Sequence, residues 1–114
     1  GTATLAGILS MSDGSAGAPS ITNTGDTNTG LLFSAADTMA FTAGGTSQFT
    51  MADGVIAPVT DNDVDLGTSS LEFKDGYFDG TLHCDVLDLA GTEITSISAG
   101  ISTGTAIAMA IVFG

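Results

Sequence analysis

The chain has 114 residues, enough for one domain, and carries 13 acidic residues against a single basic one, Lys74, for a net charge of −12. With almost no Lys or Arg it has little with which to release counterions from phosphates, which argues against nucleic acid and against an anionic lipid surface as partners. Leu, Ile, Val and Phe total 28 residues, above the ~20% level at which disorder becomes the default, but thin beside 16 Gly, which raise the entropic cost of ordering.

Burial between chains would relieve that shortage, because apolar area shared across subunits counts toward each of them. A small monomeric β-sandwich is the competing architecture. Self-association of a chain this acidic multiplies like-charge repulsion, which calls for salt or bound cations and fits a seawater-like medium.

In chain order, residues 1–18 (GTATLAGILSMSDGSAGA) contain Leu5, Ile8 and Leu9 at helical spacing, interrupted by Gly1, Gly7, Gly14 and Gly17. They are expected to be a connecting segment or short strand entering from an upstream shaft, with a turn at Asp13-Gly14. No basic stretch leads into an apolar one, so no signal peptide is expected, and a start at Gly1 suggests a fragment or processed chain.

Residues 19–54 form the first expected β module. Short apolar runs (Leu31-Leu32-Phe33, Met39-x-Phe41, Phe49-x-Met51) sit between Gly, Asn, Asp and Thr clusters, the pattern of short strands and tight turns. Pro19 holds Ala18 extended. Ile21 to Thr24 alternate as a half-exposed strand. Asn23-Thr24-Gly25 and Asn28-Thr29-Gly30 are a small internal echo, too short for a solenoid, with glycines expected at positive φ. Phe33, Phe41 and Phe49 recur every eight residues, once per strand and turn, and are expected in one core layer.

This segment, from about Gly17 to Met51, resembles a module of bacteriophage tail-fibre and related virion fibre proteins of marine type. The likeness lies in Pro19-Ser20-Ile21, then Gly25-Asp26-Thr27-Asn28-Thr29-Gly30, Ala36-Asp37, Gly44-Gly45-Thr46 and an apolar finish. The resemblance implies a structural virion protein, a homotrimeric β fibre, other tail proteins as partners, and an extracellular location on the virion.

Residues 55–90 form a second expected β module after a turn at Asp53-Gly54. Pro58, Thr60, Asp61, Asp65, Leu66, Gly67, Phe73, Lys74, Asp75, Tyr77 and Gly80 resemble a run found in phage tail fibres and tailspikes near a C-terminal trimerising region. Trp usually stands where this chain has Phe73, which keeps the aromatic role and loses the indole hydrogen bond. The longer chaperone domain that can follow this run has no counterpart here, so self-cleavage is not implied. Leu82, Cys84 and Val86 are expected on one strand face, with Leu87 and Leu89 out of phase, as at a bulge or a change of sheet.

Residues 91–114 are expected to be a C-terminal apolar strand segment. Ile94, Ile97 and Ile101 fit a helical stripe, but Gly91, Gly100, Gly104 and the β-branched content favour strand or irregular fibre. Ile107, Met109, Ile111 and Phe113 then alternate with small residues at period two. The run is far short of the ~20 apolar residues of a membrane-spanning helix, so no membrane insertion is expected.

Candidate chemistry is sparse. Asp61, Asp63 and Asp65 are the candidate metal ligands, for structural Ca2+ or another divalent cation. An EF-hand loop wants Gly at its sixth position and Glu at its twelfth, whereas here Leu66 and Glu72 stand there and Gly67 comes one place late. A solvated acidic loop is the alternative.

His83 and Cys84 are the sole residues of their types. As neighbours on a strand they would point to opposite faces and could not form a nucleophile–base pair. Three copies of His83 on a trimer axis could hold a metal, while an exposed or hydrogen-bonded His is the plainer reading. Cys84 is expected to be a small buried apolar residue. No nucleophile elbow, phosphate-binding loop, His-x-x-x-His or Cys-x-x-Cys occurs. Carboxylates that pair only in space for glycoside cleavage would leave no such signature.

The expectation is therefore a mainly β, non-enzymatic fibre segment with no cofactor. Its short strands and Gly, Asn and Asp turns would intertwine in a homotrimer that attaches to a host-surface glycan or protein. The alternatives are a purely structural capsid or tail appendage without receptor binding, and a secreted bacterial β adhesin.

Overall fold

The structure, a computed structural model, describes residues 1–96. These residues form nine short strands, every pair antiparallel, and no helix. The chain divides into two compact units, Gly1–Glu72 and Phe73–Gly114.

The first unit is built on a five-stranded meander. After a small hairpin of β1 (Gly14–Ser15) and β2 (Ala18–Pro19) come β3 (Ile21–Asn23), β4 (Asp26–Ala35), β5 (Thr38–Ala43), β6 (Thr46–Ala52) and β7 (Val55–Pro58). Spatial order equals chain order from β3 to β7. Four turns of two residues each make this possible: Thr24-Gly25, Ala36-Asp37, Gly44-Gly45 and Asp53-Gly54. Gly44 and Gly45 both take positive φ (59° and 83°), the backbone of a type I′ turn, whose twist matches its flanking strands.

The turn at Asp53-Gly54 joins β6 to β7, so one sheet runs across residue 54, where the sequence suggests a second module begins. Beyond Pro58 one more bond prolongs the β6–β7 pairing, and a turn follows further on. Val59 N donates to Gln48 O (2.9 Å), and Thr68 and Leu71 exchange two hydrogen bonds.

The two faces of the meander differ. On one lie Leu32, Ala40 and Thr42, all buried. The β1–β2 hairpin roofs this face. Thr42 Oγ1 donates to Ala16 O (2.9 Å), Phe33 N donates to Asp13 O (2.8 Å), and the buried Pro19 lies against Gly30. A Cβ on Gly30 would sit on the Ile21 carbonyl, so the roof and β3 close only over glycine. The hairpin reverses at Ala16-Gly17, braced by Ala18 N donating to Ser15 Oγ (3.1 Å), and not at Asp13-Gly14. Gly14 instead opens β1, and Ser20 N lies too close to leave room for a Cβ there.

The two halves of the Asn-Thr-Gly echo adopt different structures. Asn23 Oδ1 accepts from Gly25 N (2.7 Å) and shapes a turn. Asn28-Thr29-Gly30 lies inside β4, where Asn28 O and Thr29 Oγ1 accept from Gly45 N and Gly44 N (2.8 and 3.0 Å). Positive φ is therefore confined to Gly44 and Gly45 among the glycines of the meander ahead of Gly54, and the expectation for Gly25 and Gly30 is corrected.

In the second unit the described strands are β8 (Leu87–Leu89) and β9 (Thr92–Ile94). Ala90 and Gly91 both take positive φ (53° and 91°), again a type I′ turn, and Asp88 Oδ1 accepts from Gly91 N (2.7 Å). This pairing takes Leu87 and Leu89 into the strand and leaves residues 82–86 outside it. Leu82, Cys84 and Val86 thus lie outside the described strands, and the strand face expected for them is not seen among the described residues. The period-two run at Ile107–Phe113 lies outside the described residues.

Candidate functional site

The face of the meander opposite the roof carries its large side chains. Strand register places Ile21 beside Leu31, Leu31 beside Phe41, Phe41 beside Phe49, Met39 beside Met51, and Met51 beside Ile56. Residues two apart on a strand share a face, so these residues form one continuous apolar surface. Phe41 and Phe49 stack with ring centroids 4.7 Å apart and planes 15° from parallel. The expectation that the phenylalanines share one layer holds for this stacked pair, and Phe33 lines a pocket with Met39 and Met51 at the end of the same face.

The layer is not a closed core. Leu31, Phe33, Met39, Phe41 and Phe49 are half-buried, Met51 is 42% exposed and Ile56 72% exposed. No large side chain among the described residues is fully buried. The residues that are buried lie on the other face, because the chain has an arm to lay over that side.

Two depressions bound the apolar face. One, of about 610 Å³, is lined by Phe33, Met39 and Met51 and flanked by the turn carboxylates Asp37 and Asp53. The other, of about 490 Å³, lies between Phe49, Ile56 and Pro58 on the sheet and Val64 and Leu66 from the following loop. Both are open and largely apolar, and neither brings a nucleophile to a base.

Asp61, Asp63 and Asp65 are all exposed, on a segment where Asn62 takes positive φ (57°). Among the described residues no three His, Cys, Asp or Glu side chains converge as a metal-binding group. Asp65 borders the smaller depression, while Asp61 and Asp63 do not. His83 and Cys84 lie outside any strand, so alternation across a strand does not set their directions. Cys84 is exposed, which corrects its expected burial.

The apolar face was legible in the sequence only as a core. Its signature is the mirrored pair Met39-x-Phe41 and Phe49-x-Met51 across Gly44-Gly45, which hairpin register brings side by side. No protein-family model, curated protein or solved structure matches the chain.

Proposed function

We propose that the chain is a segment of a phage tail fibre, a homotrimeric structural part of the virion that attaches to a host-surface glycan or protein. It works mechanically and adhesively, without catalysis, in contact with other tail proteins. The observation that supports this reading is the mismatch within the first unit. A sheet carrying three phenylalanines closes only Pro19, Leu32, Ala40 and Thr42 away from solvent. A unit with so little closed core gains from burial against other chains. The motif order along Pro19–Met51 supplies the likeness to virion fibres.

Loops rich in Asp and Thr at the turns would meet the host or stay solvated, and weak contacts repeated on three chains would gain by avidity. A divalent cation at Asp61, Asp63 and Asp65 would ease repulsion between copies.

Native mass by light scattering, at seawater salt and again with chelator, tests the proposal. The expected mass is three times the chain's 11.2 kDa. Dissociation on chelation would point to a cation in the assembly. A folded monomer in both buffers would overturn the fibre in favour of a monomeric adhesin. Binding to host cells separates an attachment role from a purely structural appendage.

A further inference from the structure

We infer that the face of Leu31, Phe41, Phe49 and Met51 is the surface on which further copies of this chain pack. The inference rests on the multichain reading above and adds which surface does the work.

Charge favours another copy as the occupant. The chain carries −12, and any surface bearing carboxylates would repel a copy of itself. The strand positions of this face, from Ile21 through Leu31, Phe41, Phe49 and Met51 to Ile56, hold no charged residue. The acids of the meander sit at its turns and strand ends, as Asp26, Asp37 and Asp53 do. A surface for a basic partner would place acids inside the contact, where opposite charge gives complementarity. This one keeps its centre neutral, the arrangement that lets like-charged copies meet.

Folding favours it too. With no large side chain fully buried, a cover on this face contributes to the stability of the unit itself. A partner needed for that purpose must be present whenever the chain is made, a condition that another copy meets and a host ligand does not. The apolar surface also continues past the sheet, through Ile56 to Leu66, which is 83% exposed, so the contact extends beyond the strands.

The test uses the full chain with p-benzoylphenylalanine at position 56, prepared as a mixture of nitrogen-15-labelled and unlabelled protein. Ile56 is exposed enough to accept the change. The expected result is mixed-isotope cross-links to residues 21–58 of another copy, in a sample whose native mass is a multiple of the single chain. Met51→Glu and Ile56→Glu should each weaken association at least tenfold at fixed salt, while Gly17→Glu, at the tip of the roof hairpin on the opposite face where a side chain meets open space, leaves it unchanged.

Cross-links confined to one isotope and landing on residues 97–114 would assign the face to the chain's own end and overturn the inference. A trimer whose cross-links avoid residues 21–58 would also overturn it while leaving the fibre reading standing. A folded single chain would remove both. Failure of the glutamate variants to fold leaves the cross-linking result to decide.

Discussion

The two faces of one meander invert the usual relation between size and burial. The roofed face carries Ala40, Thr42 and Leu32 and is closed, while the other carries Phe33, Phe41, Phe49, Met39 and Met51 and is half-open. Burial here follows from what the chain can lay over a surface. The β1–β2 arm offers Pro19 and the Ala16 carbonyl, which need small neighbours and a hydroxyl beneath them. It offers nothing with which to cover a row of rings.

Four substitutions break or sharpen this contrast. Leu32→Ala should cost about 3 kcal/mol in urea unfolding, because a well-covered side chain leaves a cavity that the short roof fills poorly. A loss under ~1 kcal/mol would mean that the roofed face is no core. Gly30→Ala should cost about 2 kcal/mol by forcing β3 and Pro19 away, as overpacking does. Hydrogen exchange should then show the amides of β3 opening while β5 and β6 stay protected.

Thr42→Val keeps the shape but removes the donor to Ala16 O, and should cost about 1 kcal/mol. Rescue by Thr42→Ser, which restores the hydroxyl, separates the hydrogen bond from packing. On the open face, Met51→Ala should change the stability of the dissociated chain by less than ~0.5 kcal/mol, as for other exposed positions. Its cost should grow as protein concentration rises. A cost independent of concentration would show that the face is covered from within the same chain.

Turn chemistry made much of the fold legible. Gly44-Gly45 and Asp53-Gly54 stand where the chain reverses, and the eight-residue recurrence of Phe marks one strand and turn. The Asn-Thr-Gly echo was not decodable locally. The same three residues make a turn at Asn23 and a strand at Asn28, because β5 returns alongside only the second. Leu82, Cys84 and Val86 alternate as a strand would, yet among the described residues the hairpin at Ala90-Gly91 pairs only Leu87–Leu89 with Thr92–Ile94.

Apolar residues signalled a core, while the roof that decides which face closes depends on an arm whose own residues are mostly small. The acidic run at Asp61–Asp65 was visible as a candidate ligand set, and its three carboxylates stand exposed on one loop.

The meander's order has a consequence for the time course of folding. Each strand from β3 to β7 pairs with the one just made, across a loop of two residues. Loop closure therefore costs little entropy, and the mean sequence separation of contacts within the sheet is short. Such a sheet can zip up strand by strand behind the ribosome without waiting for distant residues. Under the proposed association of copies, the slow, concentration-dependent step would be the meeting of finished sheets, and maturation would be paced by collision between chains rather than by the fold of any one of them.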